Sequence, residues 1–349
     1  MTKTITLFAA AVSLSVLAVP AGAQGALEQA RVSAPAIEFS VPAPAAELTA
    51  APGPSREEAL KKLQLFAYQK SDVLSVKRNT PSSRKEYSKE TIELRLNDPL
   101  RQLGEFTQKY VYYRTKEPGP RPAVVVFAPF SGSKTIDAWA AVHFAKRGYN
   151  AVVIVPHESL ADKTRPLDRT DDLLIREMIS AKMLIDLLET FPEVDAQRIY
   201  ANGISMGGIR TALAFGVEPR IKKAVEIVGG GDLPGIIADT HFKLLKGVRD
   251  ARMAIEGIKT IAAFRLYMKK AMTVDPLDFA SLRDPEDLMV VMGEGDRFVP
   301  DAYQQKLYDA FSRPAEGRYP ALLRSGKGHL VTAIEIGKYV DEAVEFFGR

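Results

Sequence analysis

The chain has no cysteine, which excludes disulfide cross-links, thiolate-bound metal and a lipid-bearing cysteine at a processed N-terminus. Its stability must come from a packed core. Histidine is nearly as scarce: His143, His157, His241 and His329 are all there are, and no pair of them has metal-ligand spacing. A phosphate-cradling glycine loop and a dinucleotide fingerprint are missing too, so no metal and no cofactor is expected. Neither sign of charge is in large excess. A formal net charge of +4 over 349 residues does not suggest nucleic-acid binding. Beyond residue 23 there is no apolar run long enough to cross a membrane,.

What the sequence does have begins with an export signal. Lys3 supplies a positive start, residues 5–19 an apolar stretch shorter than the ~20 residues of a spanning helix, and Ala21-Gly22-Ala23 a small-residue cleavage site before Gln24,. Residues 1–23 are expected to be a cleaved signal peptide, leaving a periplasmic or secreted protein with no stable membrane insertion. Residues 24–54 form an Ala/Pro-rich linker punctuated by Pro35, Pro42, Pro44, Pro52 and Pro54, a composition that sustains neither helix nor central strand. An N-terminal helical extension over 55–90 follows. Ser55 caps a helix expected to run through Gln69, with Leu60, Leu63 and Phe66 at helical spacing,. The polar, basic segment 71–89 is expected to be loop.

Residues 91–349 then alternate strand and helix. Ile92, Leu94 and Leu96 alternate with polar residues, 110–113 continues a β-rich stretch, and Val124-Val125-Val126-Phe127 is the continuous apolar run of a strand buried on both faces,. A helix over 136–147 closed by Gly148, a strand over 151–155, and a helix from Asp171 carrying Leu174, Met178, Ala181, Ile185 and Leu188 come next,. Further strands are expected over 223–228, 288–292 and 321–323, and a terminal helix carrying Ile334, Val340, Val344 and Phe347. This succession requires an α/β fold with a doubly wound, mostly parallel sheet. The interval 233–286 is too long for a simple crossover. Phe242, Leu245, Val248, Ile255, Ile258, Ile261 and Phe264 lie there at near-helical spacing, interleaved with Lys243, Lys246, Arg249, Arg252, Lys259, Arg265, Lys269 and Lys270. A helical cap insertion is expected, its basic residues forming a solvated face or drawing in an acidic substrate.

The stretch Gly203-Ile204-Ser205-Met206-Gly207 carries the chemistry. It is a GxSxG turn between a strand and a helix, in which backbone strain lifts a serine hydroxyl above the sheet. Gly203 and Gly207 let strand and helix approach where a Cβ would collide. Met206 offers its N–H at a helix N-terminus, where the dipole favours a developing oxyanion. The pattern alone recurs by chance in roughly one chain in ten of this size at average composition.

From Val194-Asp195-Ala196-Gln197-Arg198-Ile199 through Gly208, the sequence resembles the approach to the nucleophile in dienelactone-hydrolase-like esterases and in prolyl-oligopeptidase-type catalytic domains, both of the α/β-hydrolase superfamily. The resemblance covers about the last two thirds of the chain and implies an α/β-hydrolase fold with Ser205 as nucleophile. A serine needs a base and a carboxylate behind it. The superfamily places the base last, which leaves His241 and His329, and the glycine-flanked His329 in Ser325-Gly326-Lys327-Gly328-His329 fits a loop reaching over the nucleophile. The strand-then-loop Leu288 to Pro300 is similar to the segment that bears the family's acid; Asp296 is the candidate there, with Glu294 and Asp232 as competitors. A second oxyanion donor is expected from Phe130 or Ser131, although Pro129 and Phe130 stand where the family usually has His-Gly.

These features together imply an exported serine hydrolase acting on a small-molecule ester or acyl substrate through a Ser-His-Asp triad and an acyl-enzyme. The segment before Thr91 is too short for the β-propeller that usually precedes prolyl-oligopeptidase-type domains, which favours esters over peptides. An exported peptidase or amidase, and a non-catalytic binding module on the same scaffold, are the alternatives. Oligomeric state is not legible.

Overall fold

A capping box starts the described chain. The computed structural model describes residues 54–130, 135–164 and 169–349; the expected signal peptide, all of the linker before Pro54, and Ser131 lie outside these residues. Ser55 accepts from the Glu58 N–H and Glu58 answers to the Ser55 backbone, opening α1 (Arg56–Lys62). The helix expected to reach Gln69 stops early. A 3-10 turn over Leu63–Phe66 takes over, turning Phe66 inward to meet the ring of Phe279 edge-on at 5.5 Å.

The segment 71–89, expected to be loop, instead contributes strands β1 (Val73–Arg78) and β2 (Ser82–Ser83). Both pair antiparallel with β3 (Tyr87–Asn97), at the sheet margin. Most of β1 is exposed, so burial imposes no hydrophobic alternation on it. β4 (Glu105–Thr115), β5 (Arg121–Phe127), β6 (Asn150–Val155), β7 (Val194–Ile204), β8 (Ile221–Ile227), β9 (Leu288–Met292) and β10 (Ala321–Arg324) complete the sheet. The described residues form one ten-stranded sheet, nine strands in the order β1-β3-β4-β6-β5-β7-β8-β9-β10 and β2 off this path against β3. It is antiparallel from β1 through the β4–β6 pair and parallel from β6 to β10. The apolar runs of β5, β6 and β9 lie in this parallel half, where helices cover both faces.

Two apolar layers follow. On one face α3 (Thr170–Leu188) and α4 (Met206–Val217) bury Leu174, Met178, Ile209 and Leu213. On the other, α2 (Ile136–Lys146) and α10 (Ile336–Gly348) bury Phe144, Tyr339 and Val340. Val125 points into the first layer, Val124 and Val126 into the second, as the two-residue period of a strand requires. β7 lies between β5 and β8, with Gly203 opposite both Phe127 and Glu226. The serine turn therefore emerges at the carboxyl end of a central strand, where open α/β sheets bind ligands.

Between β8 and β9 the chain forms α5 (Leu233–Asp239), α6 (Lys243–Ile255) and α7 (Ile261–Ala271). Val248 and Phe264 are buried as their spacing implies, but Ile255 is exposed. Two of the basic residues are not on a solvated face. Arg249 and Arg252 are buried, because main-chain carbonyls surround their guanidinium groups. Arg249 Nη1 donates to Ala238 O at 2.8 Å, while Arg252 Nη2 donates to Leu160 O at 3.0 Å and Asp162 O at 3.2 Å, and its Nη1 to the Thr170 hydroxyl at 3.4 Å. Arg252 thus ties α6 to the loop before α3. No helix among the described residues is long and apolar enough to cross a membrane.

Arg252→Ala removes three hydrogen bonds at once. It is expected to cost roughly 1–3 kcal/mol and to speed limited proteolysis between α5 and α7 more than elsewhere. Unchanged cleavage there, followed by mass spectrometry of the fragments, would count against Arg252 as the tie.

Candidate active site

At Ser205 the backbone takes φ 61° and ψ −126°, a left-handed excursion that costs a non-glycine residue about 1–3 kcal/mol. Its surroundings hold it there. The Ser205 N–H donates to Ile227 O at 2.8 Å, tying the turn to β8. A Cβ on Gly207 would sit 2.3 Å from Phe127 O, and one on Gly203 2.3 Å from Gly207 O. These are main-chain collisions that no rotamer relieves, so both glycines of the pattern are set by packing rather than by turn geometry. Met206, next along, is the first residue of α4, and its N–H is one of the helix's orphan donors.

His329 opens the short helix α9 (His329–Ile334) rather than lying in a flexible loop, with Gly328 at the N-cap position. This helix stops at Glu335, so Ile334 is exposed and belongs to α9, not to the terminal helix α10. The imidazole is buried and its Nδ1 lies 2.6 Å from Asp296 Oδ2. With a carboxylate as acceptor, Nδ1 carries the proton and Nε2 is left with a lone pair. Asp296 is itself fixed: Oδ1 accepts from the Phe298 N–H at 2.7 Å and the Val299 N–H at 3.0 Å, and Gln304 Nε2 donates to Oδ2 at 3.3 Å. The competing acids are elsewhere. Glu294 is exposed, and Asp232 caps α5 through Gly235 and pairs with Lys306 at 2.6 Å. His241, the competing base, is exposed at the start of the cap.

Phe298 connects the two halves. Its ring lies parallel to the His329 imidazole with centroids 4.5 Å apart, and it also lines the cleft that holds Ser205 and Met206. On its other face Phe242 stacks at 3.9 Å. The cleft is apolar, walled by Phe130, Ile209, Leu233, Val248 and Val299 among others, and small, about 40 Å³. Phe130 lines it, so of the two candidate second donors one is at the cleft and the other, Ser131, lies outside the described residues. Among the described residues no three His, Asp or Glu side chains converge as a metal site.

Sequence reading missed the supports around these residues. Arg210, buried on α4, donates to Ala128 O at 2.8 Å and lies 2.9 Å from the Glu177 carboxylate, which fixes the strand end leading to Phe130. Burial raises the Glu177 pKa, and Arg210 opposes that rise. Gln304 carries no signal in the sequence, and Phe242, read there only as an apolar residue of the cap, shows its role only when the fold stacks it on Phe298.

No protein-family model matches the sequence, and no curated protein matches it by sequence. The fold is that of the α/β-hydrolases, as solved structures establish. The chain is similar to an acetyl xylan esterase from Paenibacillus sp. R4 (TM-score 0.61, 14% identity, 84% of this chain and 96% of that one). It is also similar to acetyl xylan esterase 1 from Thermoanaerobacterium sp. JW/SL YS485 (0.59, 15%, 83% and 95%) and to a CE15 glucuronoyl esterase from Teredinibacter turnerae T7901 (0.55, 15%, 82% and 83%).

Beneath the turn sits a fully buried acid. Glu226 Oε2 accepts from the Gly229 N–H at 2.8 Å, and a Cβ on Gly208 would come within 2.9 Å of that oxygen. Burial pushes the Glu226 pKa up to about 8 from 4.5, the Gly229 N–H opposing. The folded protein therefore holds a proton that the unfolded chain releases between these two values, and stability falls as pH rises through that window. The slope is at most about 1.4 kcal/mol per pH unit. Glu226→Gln is expected to flatten it, gaining stability over wild type from pH 5 to pH 8 in urea titrations; parallel curves would contradict the assignment.

Proposed function

We propose that this chain is an exported serine hydrolase that cleaves carboxylic esters through an acyl-enzyme. The observation that carries the reading is Phe298, one side chain that walls the cleft of a strained serine and lies face to face with an imidazole already paired to a buried carboxylate. In this reading Ser205 Oγ attacks the ester carbonyl while His329 Nε2 takes its proton, and Asp296 stabilises the imidazolium. The oxyanion is held by the N–H of Met206 and that of Phe130 or Ser131. Collapse breaks the carbon–oxygen bond to the alcohol, which leaves with the proton from Nε2. Water, deprotonated by the same nitrogen, then attacks the acyl-serine and releases the acid. No metal or cofactor enters the scheme.

A cleft of about 40 Å³ suits a short acyl group, and the esterase names of the similar structures favour esters over amides. Export rests on the sequence of residues 1–23.

Fluorophosphonate is expected to label Ser205, and p-nitrophenyl acetate to be turned over faster than p-nitrophenyl octanoate. Ser205→Ala and Asp296→Asn should each lower kcat/KM by roughly a thousandfold or more. Cleavage of aminoacyl arylamides alone would turn the assignment to a peptidase, and an unlabelled Ser205 in folded protein to a binding module. Phe298→Ala is expected to lower kcat by roughly two- to tenfold, the worth of one ring stack, with fluorophosphonate labelling slowed in step; a change in KM alone would make Phe298 a wall only.

A further inference from the structure

The two sides of the site are braced by different elements. Asp296 is held by the amides of its own loop and by Gln304 of α8 (Asp301–Phe311). The serine turn and the loop at Phe130 are braced by a buried charge pair that takes no part in proton transfer. Arg210 stands on α4 one helical turn after Met206, so the two are neighbours on one helix face. Its Nη1 donates to Ala128 O at 2.8 Å, and its Nε lies 2.9 Å from Glu177 Oε2 on α3. Glu177 Oε1 has no hydrogen-bond partner among the described residues, so Arg210 is the group that offsets this carboxylate. Apolar side chains of similar size would fill the space at little or no loss of stability. What they would lack is a donor for Ala128 O.

That carbonyl is fixed in two senses. Arg210 draws it toward α4, and Gly207 sets the limit of approach, since a Cβ there would come within 3.0 Å of Ala128 O. Between Ala128 and Phe130 the chain passes through Pro129 alone, whose ring locks φ and restricts the residue before it. A shift at Ala128 is therefore passed to the Phe130 N–H with little slack. Phe130 lines the cleft that holds Ser205 and Met206. An oxyanion donor works only at about 2.7–3.1 Å from the developing charge, and a displacement of about 1 Å can cost on the order of a hundredfold in rate.

We infer that Arg210, backed by Glu177, is a positioning residue for the oxyanion hole: its bond to Ala128 O sets the spacing between the Met206 N–H and the Phe130 N–H. The inference rests on the reading of Ser205 as nucleophile, and it assigns the second donor to Phe130.

The test uses the purified protein with p-nitrophenyl acetate and a trifluoromethyl ketone. Ser205 Oγ adds to the ketone carbonyl, its proton passes to His329 Nε2, and the carbonyl π pair becomes an oxyanion in the hole. Arg210→Met alone would strand the Glu177 charge, so the variant that decides is Arg210→Met/Glu177→Met, in which two unbranched side chains replace the pair. Its Tm is expected to stay close to that of wild type and its KM within about twofold, while kcat and affinity for the ketone both fall about ten- to a hundredfold. If that chain does not fold, Arg210→Lys decides: the ammonium still meets Glu177 but does not also span to Ala128 O, and the same pattern is expected. Wild-type kcat in the folded variant, a change in KM alone, or a lower kcat with ketone affinity unchanged would make the pair a fastening only and leave the hydrolase standing. A wild-type Ser205 that fluorophosphonate does not label would overturn the hydrolase reading, and this inference with it.

Discussion

The close approach of three main chains at the serine turn is the constraint on which the rest of this molecule depends. Gly207 lies against the end of β5, Gly203 against Gly207, and the Ser205 N–H is bound to β8. A positive φ at a serine is unfavourable by itself; it persists because the parallel strands on either side over-determine it. The same contacts place the first N–H groups of α4 and the end of β5 side by side, with Arg210 bridging them to Ala128. The strain at Ser205, the first N–H groups of α4 and the loop at Phe130 are therefore one packing arrangement.

A second arrangement holds the imidazole. Asp296 is pinned by the amides of its own loop and by Gln304, and His329 is held between that carboxylate and the ring of Phe298. Phe242 extends the stack into the cap. The cap is in turn anchored by Arg249 and Arg252 through carbonyl oxygens. A chain of contacts thus runs from the body of the domain, through the cap, to the face of the ring.

Much of this was legible beforehand. Val124 to Phe127 and Leu288 to Met292 are strands because continuous apolar runs fit only a strand covered on both faces,. Ser205 stood out from its glycine-flanked turn, while Asp296 and His329 were singled out from their competitors Glu294, Asp232 and His241 only with the help of the family resemblance. β1 was not, because an exposed edge strand needs no apolar face. The break at Glu335 was hidden as well, since apolar spacing continues across two helices that happen to follow one another. Arg249 and Arg252 read as part of a solvated face or of an attractor for an acidic substrate, and only carbonyls from other segments made their burial tolerable,.

The sequence by itself determined the strands of the parallel half and the serine with the glycines of its turn, because these are set by local chemistry and spacing; for the imidazole and the carboxylate it offered a few candidates, ranked through a family resemblance. Tertiary structure alone decided which acid meets the imidazole, what holds it there, and that a small apolar cleft opens at the serine. Those outcomes depend on contacts between residues far apart in the chain, whose energies no local pattern records.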